Sequence, residues 1–259
     1  MHRVRISGLP SALLLLSLLA LWEVAVRLAG VPPYILPPPA RILATLAADL
    51  PLLLRHAGTT LSEVAAGLAL GAASGVTVAL VGFYVPAIGR ALHPFVLSSQ
   101  VVPVFALAPL LVLWFGYGLW PKVIVVGLIT FFPIAVNLDH GLRSVGPDLV
   151  DLLITLGARE ATIFRLVRLP AALPAAMAGL KVAATVALAG AVIGEWIGGQ
   201  GGLGYVMIQA NAVLRADRVF AALVVLTLLG IGLFGAVAAL ERCVLRWRPR
   251  DSRRKIASR

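Results

Sequence analysis

Apolar residues in this chain neither alternate nor cycle; they run. Six stretches, at about 9–28, 59–84, 95–114, 122–138, 171–193 and 218–240, are nearly continuous in Leu, Val, Ala, Ile, Gly and Phe. Runs near ~20 apolar residues are what a helix needs to cross the hydrocarbon of a bilayer. Membrane-spanning strands would show shorter segments alternating with period two. The pattern therefore predicts an all-α, polytopic membrane helix bundle of about six spans, with its backbone polar groups satisfied inside helices.

Polar and turn-forming segments separate the runs. "VPPYILPPPA" after the first run reads as an ordered extramembrane loop, because proline removes donors and forbids helix. "RILATLAADLPLLLRH" is too short and too charged to span, and predicts a helix lying in the interface. The second run carries Gly67, Gly71 and Gly75 at four-residue spacing, a stripe that permits close helix contact. The third is interrupted by Pro103 and Pro109, which either line a pathway as kinks or reflect helix geometry alone. Trp114 and Trp120 flank the turn that follows as interfacial anchors. After the fifth run, "GEWIGGQGGLGYVMIQANAVLRAD" is a glycine-rich loop leading into a short helix with Leu203, Val206, Met207 and Ala210 on one face.

Residues 139–170 break the apolar pattern most sharply. Asp139, Arg143, Asp148, Asp151, Arg159, Glu160, Arg165 and Arg168 fall in one segment of a chain that is only 13% charged. Pro147 suits a first helical turn, Asp148 and Asp151 suit the positive end of the dipole, and Gly157 suits a C-terminal stop. Leu149, Leu152, Leu153 and Leu156 then fall on one apolar face. "AREATIFRLVR" restarts a helix, and Leu169-Pro170 is expected to end it. Such a helix–turn–helix leaves an apolar face that needs a partner: the protein's own spans, lipid headgroups or another protein.

Composition narrows the class. The chain has 259 residues, is 60% hydrophobic and carries a net charge of +11; its mean hydropathy is +0.99. Nucleic-acid binding is a poor reading of the positive charge. Of 22 Lys and Arg, 15 fall on the side holding the N-terminus, Arg90, the 139–170 insert and the tail, and six (Arg27, Arg41, Arg55, Lys122, Arg215, Arg218) fall on the other. Lys181 lies within the fifth run. The positive-inside rule then places the insert and both termini in the cytoplasm of a cell inner (plasma) membrane protein. "MHRVRISGLPSALLLLSLLALW" has the look of a signal peptide but lacks a small-x-small cleavage site, so it reads as an uncleaved first span. A single cysteine, Cys243, excludes an internal disulfide, and the four scattered histidines show no metal-ligand spacing, so no metal site is expected. No nucleophile–base set is visible and Glu195 alone makes no catalytic pair, so no catalytic residue is assigned.

The insert resembles the "EAA" loop of the membrane subunits of binding-protein-dependent ABC importers. "DLLITLGA" stands where that family has "EAARTLGA", with Asp151 for Glu and Leu152 and Leu153 for the Ala pair; Gly157, Ala158 and the closing "RLPAALP" are kept. "LPPPARIL", "PVFALAPLLVLWFGYG", "FFPIAVNLDHGLRSVGPDLVD" and "GGLGYVMIQA" are similar to the nitrate/sulfonate/taurine-type branch, over roughly 36–246. "AGAVIGEWIGGQGGLGYVM" looks closest to members for pyrimidine thiamine precursors or riboflavin.

The resemblance implies a type I importer permease, non-catalytic and free of cofactors, forming half of a solute pathway as a homodimer. ATP-Mg would bind on separate ATPase subunits, since "GGQGGLG" lacks the Lys-Ser/Thr of a phosphate loop. An extracytoplasmic solute-binding protein would deliver a nitrate-, sulfonate- or taurine-like anion or a pyrimidine thiamine precursor. Asp151, Leu152, Leu153, Gly157, Ala158, Arg165, Leu169 and Pro170 would couple to the ATPase. Glu195, Gly201, Gly202, Leu203, Gly204 and Tyr205 would form an extracytoplasmic gate or binding-protein contact, or a re-entrant plug that only seals the bundle. Residues 1–56 would form the first span, loop and interfacial helix, 57–245 the permease core, and 246–259 a basic tail. The rival reading, a secondary transporter or channel, needs ionisable relay groups within the spans, and Glu63 and Lys181 are the candidates.

Overall fold

The computed structural model describes residues 8–98 and 103–247, without the side chains of Leu9, His93 and Leu97. The first seven residues, and the basic tail from 248 onward, lie outside the described residues. All regular structure among the described residues is helical: α1 (Gly8–Leu28), α2 (Pro39–Ala48), α3 (Leu50–Tyr84), α4 (Pro86–Ser98), α5 (Val104–Phe115), α6 (Leu119–Arg143), α7 (Pro147–Thr155), α8 (Glu160–Ile163), a π-helical turn (Phe164–Arg168), α9 (Leu169–Gly198), α10 (Leu203–Ala212) and α11 (Ala216–Val244).

The centre of the bundle is α6, clasped between α3 and α9. The contact is made by missing side chains. A Cβ added at Gly67 would overlap the Val126 side chain, one at Gly71 would overlap the Thr130 hydroxyl, and one at Gly75 would press on the Phe131 carbonyl. On the other flank, Gly179 lies against the Pro133 carbonyl and Gly194 against the backbone of Lys122. Without a hydrophobic drive between helices in lipid, such close backbone approach is what holds spans together. Val64, Val126, Ala187 and Ala191 fill the space between the three helices.

This register fixes the topology. Along α3 and α6 the facing pairs advance together, from Glu63 with Lys122 through Gly67 with Val126 and Gly71 with Thr130 to Gly82 with Arg143. The two helices are therefore parallel, and the chain must recross the bundle between them. Only α4 and α5 are available: Gly89 of α4 touches the end of α3 at Gly82, and Val112 of α5 touches the end of α9 at Gly198. Among the described residues five helices, α1, α3, α6, the α8–α9 rod and α11, are each long and apolar enough to span. The third span is the broken α4–α5 pair, with Pro103 at the N-cap of α5 and Pro109 inside it.

Two sequence expectations change. Residues 41–56 do not form one interfacial helix. Asp49 ends α2, and α3 begins at Leu50 with Pro51 in its first turn, where proline is tolerated. Thus α3 has 35 residues, about 50 Å at 1.5 Å per residue, and extends beyond the hydrocarbon; the boundary drawn at 56/57 falls inside it. Nor does Leu169-Pro170 stop the insert's second helix. The π-helical turn ends at Arg168, two residues before Pro170, and Leu169 N–H bonds back to the Phe164 carbonyl. The widened register relieves the clash and lost donor that proline brings to an α-helix, so α8 runs into α9 as one rod.

The glycine contacts predict a contrast. Gly71→Ala should lower the thermal midpoint of the purified protein, by a destabilisation of about 1–3 kcal/mol from overpacking against Thr130. Gly58→Ala, on the same helix with open space around it, should leave the midpoint unchanged or raise it, because alanine favours helix by about 1 kcal/mol. Thermal unfolding in detergent, followed by size-exclusion recovery, reads both.

Candidate functional site

Two regions at opposite ends of the α3–α6–α9 core carry the polar chemistry. At the first, α6 ends in Asp139 and Arg143, which pair one turn apart at 2.9 Å. The chain turns at Gly146, and Pro147 opens α7 with Asp148 in its first turn. Gly157 then takes φ +81, the left-handed conformation that favours glycine. Its N–H bonds to the Ile154 carbonyl and the Ala158 N–H to the Leu153 carbonyl, both at 2.9 Å. That pair of bonds is a Schellman stop. No residue of α7 is buried: Leu149, Leu152, Ile154 and Leu156 are all exposed, Leu156 at 74%. Leu153, Ala158 and Pro170 are half-buried; Asp151, Arg165 and Leu169 are exposed.

The insert is anchored to the core behind this free face. Ile163 is buried. Phe164 meets Tyr84 with the rings tilted by 45° and centroids 5.4 Å apart, and packs with Leu138, Leu142 and Ala172. The Arg168 guanidinium lies 4.8 Å over the Phe83 ring, while Arg143 donates to the Gly82 carbonyl at 3.1 Å and also faces Phe83. Beside this joint, α3, α4 and α6 border a half-open cavity of about 850 Å³ lined by Val78, Arg90, Pro94, Asp139 and His140 among others.

At the opposite end, sequence reasoning named Glu195 and the glycine loop but missed what surrounds them. The N-cap of α10 is Gly202, at φ +105, which has no side chain to satisfy the helix's first N–H groups. Other helices supply the cap. His56 Nδ1 accepts from Gly202 N–H at 3.0 Å, Thr60 Oγ1 from Leu203 N–H at 2.9 Å, and Glu195 Oε2 from Gly204 N–H at 2.5 Å. Thr60 also donates to Glu195 Oε1 at 2.6 Å, tying α3 to α9. Next to them Lys122 Nζ donates to Glu63 Oε1 at 2.5 Å. These three charged side chains are shut from solvent, Glu63 and Glu195 at 1% and Lys122 at 4% exposure. Lys122 is thus a buried ion-pair partner rather than a loop charge, and Glu63 is packed into α3. A side chain at Gly202 or Gly204 would run into the Glu195 carboxylate. The buried face of α10 is the expected one, with Leu203, Val206 and Ala210 inside and Met207 half-buried; Tyr205 is half-buried against His56 and Gly201 lies beside Thr59.

Beyond α10, Asp49, Arg215, Asp217 and Arg218 form a second ionic group. Arg218 pairs with Asp49 at 2.7 Å, Arg215 with Asp217 at 2.9 Å, and Thr45 of α2 donates to Asp217 at 2.8 Å. The hydrogen-bonded Asp217 carboxylate raises the Arg215 guanidinium above its ordinary pKa. Lys181, the other relay candidate, is ion-paired with Glu241 of α11.

This arrangement agrees with what the chain is similar to. The family model for "Binding-protein-dependent transport system inner membrane component" matches residues 67–246. A formylaminopyrimidine transport permease protein, ThiX, of Halalkalibacterium halodurans is 39% identical over 94% of this chain and 98% of its own. The riboflavin transport system permease protein RibX of Chloroflexus aurantiacus is 36% identical over 93% and 90%, and the taurine transport system permease protein TauC of Escherichia coli is 29% identical over 89% and 86%. Among solved structures, an inward-facing MetNI methionine ABC transporter matches in fold with a TM-score of 0.66 at 21% identity, over 76% of this chain and 98% of that one. The chain belongs to the inner membrane components of binding-protein-dependent transport systems.

Proposed function

We propose that two copies of this permease form the pathway of an importer, that α7 docks on a separate ATPase subunit which binds ATP-Mg, and that the α10 end meets an extracytoplasmic solute-binding protein. The observation that carries the ATPase reading is the free leucine face of α7, Leu149, Leu152 and Leu156, on a short helix that no described residue covers. Exposed apolar faces of this kind mark protein contacts. Asp151, Leu152, Leu153, Gly157, Ala158 and Arg165 present or shape that contact, while Leu169 and Pro170 follow the joint with α9. A helix displaced by an ATPase carries its motion through the Phe164–Tyr84 and Arg168–Phe83 contacts into α3 and α9.

In this reading both termini and the insert are cytoplasmic, the broken α4–α5 span with Pro103 and Pro109 borders the pathway, and the cavity beside Arg90 and His140 is part of its inner mouth. The substrate is a small solute of the kind named for the relatives. The two with the higher identity carry heteroaromatic compounds in their names, which favours a pyrimidine thiamine precursor over a sulfonate or taurine-like anion. Most of that selectivity resides in the binding protein.

Gly157→Val tests the coupling role. Its side chain would meet no neighbour within 4 Å, so its cost is the left-handed backbone, about 1–2 kcal/mol. The variant should reach the membrane at normal level yet lose uptake, and Gly157→Asn should retain part of it, because asparagine tolerates that conformation. Normal uptake by the Val variant at normal expression would remove Gly157 from the coupling machinery.

Orientation has its own test. With Cys243 replaced by Ser, a cysteine at exposed Gln200 should react with an impermeant thiol reagent added to intact cells, and one at exposed Ala161 only after the membrane is opened. The reverse pattern would overturn the orientation and the ATPase assignment with it.

A further inference from the structure

The capping of α10 extends the gate reading on which it rests. An ordinary helix of this length carries its own N-cap or leaves its first N–H groups to water. Here the first three donors, at Gly202, Leu203 and Gly204, are each taken by a side chain from another helix. The acceptors come from α3 (His56, Thr60) and α9 (Glu195), so hydrogen bonds fasten the first turn of α10 to the core, beside the apolar contacts of Leu203 and Val206 with Leu53 and Ala57. The fastening sits on a preformed polar base. The Glu63 and Glu195 carboxyls lie side by side within hydrogen-bond reach, and Lys122 pairs with Glu63 and reaches the Gly201 carbonyl at 3.5 Å. Polar groups buried this deeply depend on one another as partners. The fold keeps this cluster beside α10, whose entry segment, Gly198 to Gly202, is nearly all glycine.

We propose that His56, Thr60 and Glu195 are positioning residues that seat α10, and that Glu63 and Lys122 hold Glu195 and the Gly201 carbonyl in place for them. In this arrangement α10 has a seated state, in which the cap is made, and a released state, in which the glycine segment turns and the cap breaks. The α6 helix carries Lys122 as its fourth residue and Arg143 at its other end. One helix therefore touches both the seat of α10 and the joint of the insert, so motion of the packed α3, α6 and α9 at the insert carries the seat with it.

The test uses the whole chain, with Cys243 replaced by Ser, reconstituted in nanodiscs where both faces are open. The result is then independent of orientation and of any partner. A cysteine at Val206, buried on α10, reports release through its rate of reaction with a water-soluble thiol reagent. A cysteine at Ala183, buried in α9, reports general loosening. Thr60→Val keeps the shape of the side chain and removes its hydrogen bonds to Leu203 N–H and the Glu195 carboxylate, with the longer one to the His56 carbonyl at 3.3 Å. It should raise the Val206 site's rate by about tenfold or more, as expected when buried hydrogen bonds are lost on one side, with Ala183 unmoved; Thr60→Ser should restore protection. Unchanged protection of the Val206 site in Thr60→Val, or an equal rise at Ala183, would overturn the seat. Uptake in cells carrying Thr60→Val then tests its place in transport: loss with rescue by Ser supports it, and wild-type uptake despite release of α10 would show that seating is not a step of transport, leaving the permease assignment untouched.

Discussion

Close packing of α3 and α9 onto α6 through glycine is the constraint on which the rest of this structure depends. Helices in lipid gain little from burying apolar surface against one another, so they associate where backbones come close and polar groups pair. Gly67, Gly71 and Gly75 bring α3 to that distance, and Gly179, Gly190 and Gly194 do the same for α9. The register that these glycines set makes α3 and α6 parallel. That in turn requires a return crossing, made by the broken α4–α5 pair. It also places Glu63, Lys122 and Glu195 together at one end, and Gly82, Arg143 and Phe164 together at the other.

The two ends are built from opposite materials. At the insert end the joint is aromatic and cationic, with an apolar helix left free beyond it. At the α10 end the joint is a buried polar network. Buried charge is expensive, and removing one partner of such a group is far more damaging than exchanging the whole group for apolar residues. Its presence in a bundle with apolar alternatives on every side points to a contact whose making and breaking matters. Lys181 and Glu241 show a plainer use of the same chemistry, a single ion pair joining α9 to α11.

Much of this was legible in the residues themselves. Continuous apolar runs announced the spans because helix and bilayer share one length scale. Gly157 announced a left-handed stop because few other residues accept that backbone, and the α7 leucines announced a free face through their spacing. The failures have equally physical causes. A proline at 170 suggested a helix end, yet the π-helical turn beside it absorbed the lost bond. The length and charges of residues 41–56 suggested one interfacial helix, yet Asp49 ends α2 and Pro51 sits in the first turn of the long α3. The polar seat of α10 was invisible because its members come from positions 56, 60, 63, 122 and 195, and only the glycine register brings them together. A faint signal was available: Glu63 and Lys122, of opposite sign, each stood in or at the edge of an apolar run, and charges so placed call for partners.

The central claim is that α3, α6 and α9 form one rigid body joining the insert to α10. Spin labels at Leu61, Leu128 and Val182, exposed positions on the three helices, taken two at a time in chains diluted with unlabelled chain, read the intrachain distances in the reconstituted transporter. Measured with and without ATP, the distance distributions for all three pairs should superimpose. A nucleotide-dependent shift in any pair would show that the three helices move separately, and would contradict the account.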